Sequence, residues 1–316
     1  PWILVLAGGS GTRLSALTVG PDGVPVPKQY CSLRGSRTLL GETLQRAFAL
    51  APRERVLVVV AAAHARWWRS QLRDLPRANV LVQPHSRGTA AGIVWPLRVI
   101  LQRDPNATVV VMPSDHHFAV PARLLRTVRD SVAHARRGTG APVLLGIEPD
   151  GPDTEYGWIV PGAATGATRP VQRFVEKPPH AQASELFAQG ALWNSFLFAA
   201  QGHALWELCE RRVPAVTDGV RTVRADARDT AGLAKAYARL PEVDFSREVL
   251  QGSALQLEVM PVPDCGWTDL GTPRRLASCL ATLPERSPAF GAAPRAHHQT
   301  IDLSAALQAH GASAAC

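Results

Sequence analysis

Lysine is nearly missing from this chain. Only Lys28, Lys177 and Lys235 occur in 316 residues, and arginine supplies almost every other positive group. A net charge of +8 carried in this way does not describe a nucleic-acid binder, because the arginines are scattered rather than gathered into a basic tract. Each retained lysine therefore asks for a reason, since a compact ammonium and a forked guanidinium are not interchangeable. Long apolar runs are missing as well. "WILVLA" and "VLVVVAAA" fall far short of the roughly 20 residues that cross a bilayer, so no membrane partner is expected. No basic stretch precedes the first run and no small-residue cleavage site follows it, which argues against a secretory signal and for a cytoplasmic protein. The cysteines, at 31, 209, 265, 279 and 316, include no C-x-x-C pair. That excludes zinc sites and disulfide frameworks of familiar spacing and leaves reduced, structural thiols.

What is present is an alternation of two periods. Short Val-, Leu- and Ile-rich runs at 2–7, 56–62, 79–82, 108–112 and 142–148 read as strands covered on both faces. Between them, 39–50 sets Leu40, Leu44, Ala47 and Phe48 on one helical face. The segment 89–102 does the same with Ile93, Leu97, Ile100 and Leu101, with a kink expected at Pro96, and 121–137 also fits a helix. The pattern predicts an α/β fold with a mixed, mostly parallel sheet flanked by helices. From about 150 the rhythm changes: strand-like pieces at 155–161, 171–176, 192–199 and 256–262 are interleaved with helices near 181–190, 201–211, 231–239 and 272–281. This second stretch reads as an insertion that completes a pocket over the first sheet. The expected organisation is one catalytic domain over 1–282, with halves near 1–150 and 151–282. Residues 283–316 read as a weakly structured tail.

The first loop, "LAGGSGTRL" at 6–14, follows a strand and so lies at the carboxyl edge of the sheet, where open α/β folds bind ligands. It is neither of two familiar phosphate loops. G-x-G-x-x-G started at Gly9 meets Leu14 where glycine is needed, and G-x-x-x-x-G-K-[ST] started at Gly8 meets Arg13. What stands there is G-G-x-G-x-R, with backbone N–H groups able to wrap an anion and a guanidinium to fork it. Downstream, the rare Lys28 in "PKQY" follows the proline-stiffened "GPDGVPVPKQ", a segment able to swing the ammonium back over the loop.

"LAGGSGTRL" with "PKQY" resembles the signature of sugar-1-phosphate nucleotidyltransferases, and within them the bacterial mannose-1-phosphate guanylyltransferases. The later segments "QPHSRGTAAGI", "VVVMPSDHHF", "DTEYGWIVPG", "FVEKP", "LWNSFLF" and "CGWTDLGT" agree in order over about 1–280. The resemblance implies a Rossmann-like, GT-A-like nucleotidyltransferase domain with a sugar-binding insertion and a bound divalent metal, Mg2+ or in its place Mn2+. The implied reaction joins GTP to mannose 1-phosphate, giving GDP-mannose and pyrophosphate. The implied partners are these small molecules, with a homodimer allowed.

Carried onto this sequence, the resemblance implies that Leu6, Gly8, Gly9, Ser10, Gly11, Thr12, Arg13 and Ser114 surround the nucleotide, while Gln83, Gly88 and Thr89 read its base. Arg13, Lys28 and Lys177 are the implied catalytic cations. Asp115 and Asp269 are the implied metal ligands, and Gly157, Glu176, Lys177, Asn194 and Ser195 the implied sugar-phosphate site. In a strand the adjacent His116 and His117 point to opposite faces, so at most one shares the direction of Asp115. Trp158 and Trp193 read as core or pocket wall. Some positions depart from the family pattern: "SALT" at 15–18 where Trp-Pro-Leu-Ser is usual, Phe196 where glycine commonly follows Asn-Ser, and Pro273 where tryptophan is frequent. None removes a charged group, so they bear on selectivity. Two rivals remain at this point. One is the same chemistry with dTTP or UTP and glucose 1-phosphate; the other is a non-catalytic nucleotide-sugar-sensing subunit.

Overall fold

The computed structural model describes residues 1–35, 37–137, 140–164, 166–223, 230–283 and 300–309. Its frame is a nine-stranded sheet. The strands of the first half are β1 (Trp2–Ala7), β2 (Val56–Ala61), β3 (Val80–Gln83), β4 (Thr108–Pro113), the short β5 (His117–Phe118) and β6 (Val143–Ile147). The second half supplies β7 (Gly157–Pro161), β8 (Arg169–Glu176), β9 (Leu192–Gln201), β10 (Glu258–Val262) and the short β11 (Trp267–Thr268). The order across the sheet is β3-β2-β1-β4-β9-β6-β10-β8-β7. Neighbours β1, β2, β3 and β4 are parallel, whereas β9 runs against both β4 and β6. The later strands therefore extend and interrupt the first sheet instead of forming a separate layer above it. Strand β9 sits between β4 and β6 because its run from Leu192 to Ala200 is apolar enough to be covered on both faces.

Burial follows the two-residue period of a strand. Ile3, Val5 and Ala7 face one hydrophobic core, together with Val56, Val58 and Val60. Trp2 and Leu4 face the other, with Leu57 and Val59. The helices that close these cores are α1 (Leu39–Phe48), α2 (Ala65–Gln71), α3 (Gly88–Arg103), α4 (Pro121–Arg137) and α5 (His180–Ala188). They continue with α6 (Gly202–Arg212), α7 (Pro214–Arg221), α8 (Thr230–Arg239), α9 (Pro273–Thr282) and α10 (Leu303–Ala309). Helix α1 starts where the Thr38 hydroxyl accepts the Gly41 N–H at 3.0 Å, an N-cap that satisfies one of the four orphan donors of a helix start. Helix α3 continues through Pro96, which is buried with most of its neighbours.

Part of the expected tail is packed. Residues 284–299 and 310–316 lie outside the described residues, but α10 inserts Leu303 and Leu307 into the same core as Leu14 and Leu17. Its entry is fixed by Ser32, whose N–H donates to the Ile301 carbonyl and whose carbonyl accepts from Leu303, each at 2.9 Å. Leucines four residues apart share one helical face, and that face finds the short helix 12–17 that follows the glycine loop. The four described cysteines, Cys31, Cys209, Cys265 and Cys279, are free and buried. No helix among the described residues is long and apolar enough to cross a membrane.

Candidate active site

The glycine loop leaves the end of β1 and is held from beneath by "PKQY". Gln29 Nε2 donates to the carbonyls of Ala7 (3.1 Å) and Gly9 (2.8 Å), and the Tyr30 hydroxyl donates to Ala7 at 3.2 Å. Among the described residues the N–H groups of Gly9, Ser10 and Gly11 donate to no backbone carbonyl, so they remain for an anion. Gly11 has φ +62°, and a Cβ there would come within 3.0 Å of the Lys28 backbone nitrogen. Only glycine combines that dihedral with so close an approach. Lys28 thus backs directly onto the loop, as its stiff approach segment suggested.

Its ammonium is buried between two acids that come from distant parts of the chain. Lys28 Nζ lies 3.0 Å from Asp115 Oδ2 and also donates to the main-chain carbonyl of Asp269. Asp115 arrives just past β4. Asp269 arrives just past β11, which pairs antiparallel with β5 through Trp267–Phe118 and Thr268–His117. That two-rung ladder brings the two aspartates to one place. His116 joins them: its Nε2 is 3.7 Å from Asp115 Oδ1, while Nδ1 accepts the Trp267 indole N–H at 3.2 Å. His117 turns the other way, toward Glu42 at 3.4 Å.

Asp269 is the more heavily bonded acid. Its Oδ1 accepts from the Tyr156 hydroxyl (2.9 Å), the Gly271 N–H (2.9 Å) and Arg275 Nη1 (3.1 Å). Its Oδ2 faces Arg275 at 3.3 Å and Arg13 at 3.7 Å. Arg13 in turn pairs with Glu155 at 2.8 Å, both half-exposed. Burial pushes both aspartates upward in pKa. Lys28 outweighs it, aided by His116 at Asp115 and by Arg275 at Asp269, and both stay below the usual carboxylate range.

Of the residues expected to read the base, Gln83 ends β3 with its amide nitrogen donating to the Tyr237 hydroxyl at 3.1 Å. A Cβ on Gly8 would meet Gln83 Oε1 at 2.7 Å, so Gly8 and Gln83 are in direct apposition. Gly88, at φ +73°, leaves the space that the Val243 backbone fills, and the Thr89 hydroxyl accepts the Phe245 N–H at 2.7 Å. These two residues dock the 243–245 segment.

Among the residues expected at the sugar phosphate, the hairpin of β7 and β8 pairs Gly157 with Glu176. A side chain at 157 would strike Glu176 Oε2 at 2.6 Å. Burial first, then Asp244, pushes the Glu176 carboxyl up to about 7, against the weaker opposing pull of Lys177 and Arg247. Lys177 Nζ is 4.0 Å from Glu176 Oε1 and half-exposed. Asn194 commits its side-chain oxygen to the Phe196 N–H at 3.1 Å, which leaves its amide nitrogen uncommitted among the described residues. Tyr156, Trp193 and Trp267 pack as tilted rings 4.6 to 6.3 Å apart. Trp158 meets Trp193 edge-on and is fully buried, so both tryptophans are wall and core.

Two expected ligands have buried hydroxyls bonded to the main chain. Ser195 is wholly buried, donating to the Leu145 carbonyl at 2.6 Å and accepting the Leu197 N–H at 3.2 Å. Ser114 donates through both its hydroxyl (2.7 Å) and its N–H (3.1 Å) to the Leu6 carbonyl. Each hydroxyl braces the sheet edge instead of facing the cleft. Three non-glycine residues beside the site adopt left-handed backbone: Lys177 (φ +49°), Phe196 (φ +59°) and Leu270 (φ +50°). Such conformations cost about 1–3 kcal/mol each and cluster at functional sites. Phe196 shows why glycine suits that position.

Sequence reasoning missed Asp153, Glu155, Tyr156, Tyr237 and Arg275 as parts of the site. One signal was available. The chain has only three tyrosines, and the hydroxyls of Tyr30, Tyr156 and Tyr237 bond to Ala7, Asp269 and Gln83 respectively.

Residues 3–286 match the family model described as nucleotidyl transferase. The xanthan biosynthesis protein XanB of Xanthomonas campestris pv. campestris (strain B100) is 33% identical over 277 residues, covering 85% of this chain and 57% of that protein. The mannose-1-phosphate guanylyltransferase ManC of Salmonella typhimurium (strain LT2) is 32% identical over 304 residues, covering 89% and 60% respectively. Among solved structures, mannose-1-phosphate geranyltransferase from Thermus thermophilus is similar with a TM-score of 0.76 at 30% identity, covering 90% of this chain and 80% of that one. The chain spans less than two thirds of the length of these two curated relatives.

Proposed function

The chain belongs to the nucleotidyl transferase family, and from that premise we propose that it transfers a guanylyl group from GTP to mannose 1-phosphate. The products are GDP-mannose and pyrophosphate. One observation carries the reading: an amide-lined glycine loop, Arg13 and Lys28 meet Asp115 and Asp269 at a single edge of the sheet. A phosphate monoester has a second pKa near 6 and is mostly dianionic at pH 7, so the attacking oxygen needs no general base. It forms a bond to the α-phosphorus of GTP as the bond to the pyrophosphate oxygen breaks, and pyrophosphate leaves with the electron pair. The barrier is the approach of two polyanions. Catalysis then rests on in-line positioning and charge neutralisation. A cleft of cations and free amides suits that task better than any set of nucleophile and base.

In this reading the N–H groups of Gly9, Ser10 and Gly11 with Arg13 hold the leaving phosphates, and Lys28 neutralises charge at the point of attack. Gln83 reads the base across Gly8. Glu176 and the Asn194 amide bond sugar hydroxyls, and Lys177 meets the sugar phosphate. Family members use a divalent metal ion, and the donors here fit one. Asp115 is only partly buried, and its Oδ1 lies 3.7 Å from His116 Nε2. Mg2+ typically takes one or two carboxylates together with substrate phosphates, so two aspartates would suffice on the protein's side. Asp115 and Asp269 would hold Mg2+, or Mn2+ in its place, and the ion when bound would draw off phosphate charge. A cytoplasmic site of action and a homodimer, to be checked by light scattering, belong to the same reading.

The decisive assay offers mannose 1-phosphate with each of GTP, ATP, UTP and dTTP, and glucose 1-phosphate with UTP and dTTP, while pyrophosphate release is followed. Fastest release with GTP and mannose 1-phosphate is expected. Preference for UTP or dTTP with glucose 1-phosphate would overturn the guanylyl reading and keep the transfer. Silence with every pair, alongside measurable nucleotide binding, would favour the sensing subunit instead. Against that rival stand Arg13, Lys28, Asp115, Lys177 and Asp269, the charged groups this reading uses, all of which occur in the chain.

A further inference from the structure

Arg275 has no role in the reading above, yet it is held in the middle of the site. It is the third residue of α9, and its N–H donates to the capping Thr272 hydroxyl at 3.3 Å. A cation there lies at the positive end of the helix dipole, where acids are favoured and bases are not. Something must outweigh that placement. The guanidinium grips Asp269 with Nη1, 3.1 Å from Oδ1 and 3.3 Å from Oδ2. Its Nη2 pairs with Asp153, and its central carbon lies 4.0 Å over the ring of Tyr156. The side chain is largely buried, like that of Asp269. Both oxygens of Asp269 thus already have cationic donors, while Asp115, beside Lys28, keeps a side chain 34% exposed against 10% for Asp269.

We propose that Arg275 is a built-in competitor of the divalent metal ion for the Asp269 carboxylate. The ion's first protein ligand is Asp115. Asp269 becomes its second only as the guanidinium withdraws onto Asp153 and Tyr156, partners it already holds. A divalent ion attracts a carboxylate twice as strongly as a monovalent group at equal distance, so the exchange favours the metal once phosphate oxygens fill the remaining positions. Without phosphates the guanidinium keeps its place, and metal binding to the protein alone is weak. This inference rests on the metal-site reading of Asp115 and Asp269, but its test does not depend on which substrates react.

Mn2+ is titrated into the full chain without nucleotide or sugar phosphate, and free Mn2+ is read by electron paramagnetic resonance. Arg275→Gln should bind Mn2+ at least about 10-fold more tightly than the parent chain. Arg275→Lys, which keeps a charge but loses the fork, should fall between them. The double change Arg275→Gln with Asp269→Asn should lose the gain. Equal or weaker Mn2+ binding by a folded Arg275→Gln chain overturns the proposal. If the glutamine variant does not fold, equal or weaker binding by Arg275→Lys does so instead. Failure of the transfer assay would leave these affinities untouched, so the two readings fail separately.

Discussion

Asp115 and Asp269, near the glycine loop, and Glu176, on the β7–β8 hairpin, are all at least partly buried beside a lysine, yet they shift in opposite directions. Burial pushes each carboxyl upward. At the two aspartates it is overcome, chiefly by Lys28; at Glu176 it prevails, with Asp244 adding to it. The difference lies in the lysines. Lys28 has a side chain only 6% exposed and stands 3.0 Å from Asp115, whereas Lys177 is 48% exposed and 4.0 Å from Glu176. A charge in water is screened, and one shielded from water acts at close to full strength. One acid–lysine pairing thus yields a fixed pair of anions on one side and a carboxyl poised near neutral pH on the other. The first suits a permanent polyanion-binding edge, the second a group that exchanges hydrogen bonds with sugar hydroxyls.

The strongest way to break this contrast is to remove the cation that enforces it. Lys28→Gln leaves Asp115 and Asp269 beside each other without their shared ammonium and, on the proposed reading, takes away the charge that would offset the attacking phosphate. Loss of one preorganised electrostatic group costs about 10²–10³ in turnover, and a fall of about 10³-fold in kcat/KM is expected here. Lys28→Arg should recover little of it, because a planar fork does not fit the pocket of a compact ammonium. A Lys28→Gln enzyme within about 10-fold of the parent would mean that Lys28 serves only to hold Asp269 in place.

Much of this arrangement was legible in advance, and the gaps have physical reasons. The strands at 2–7, 108–112 and 192–199 and the helix at 121–137 were legible because apolar periodicity and flanking Gly or Pro are local signals. The pairing of β5 with β11 was not, since two residues carry no period, and it is this ladder that unites Asp115 with Asp269. The partners of Ser195 and Ser114 were not legible either, because a hydroxyl's partner is set by the backbone it meets in space, here the carbonyls of Leu145 and Leu6. Arg275 was overlooked for the converse reason. Nothing about an arginine in a helix's first turn announces that Asp153, Tyr156 and Asp269 will surround it.

A second, smaller effect tests the sugar side. The Glu176 carboxyl rises from 4.5 to about 7 on folding, so the folded state binds its proton more tightly than the unfolded chain. No stability is lost below the unfolded value. As pH climbs from 4.5 through about 7, ionisation destabilises the fold by about 3 kcal/mol, at roughly 1.4 kcal/mol per pKa unit. Glu176→Gln should therefore be more stable than the parent at pH 8 by up to that amount, and by under about 1 kcal/mol at pH 5, in urea unfolding at both pH values. Its KM for the sugar phosphate should rise about 10-fold, the usual exchange of activity for stability. A variant destabilised equally at both pH values would show that Glu176 is an ordinary structural acid.

The smallest effect sharpens the contrast at its exposed margin. Arg13 and Glu155 form a close pair, 2.8 Å apart, but their side chains are 49% and 46% exposed. Pairs of that kind contribute at most about 1 kcal/mol and weaken with salt. Glu155→Gln should hence shift the unfolding free energy by less than about 1 kcal/mol. Functionally it should help: Arg13, no longer drawn to Glu155, meets the triphosphate without first giving up a partner, and KM for GTP should fall about 2- to 3-fold at low ionic strength. In 0.5 M salt that gain should vanish. If the substitution instead raised KM, Glu155 would be a positioning residue that aims Arg13 at the phosphates, and the exposed pair would belong with Lys28 among the groups that the nucleotide side holds rigid.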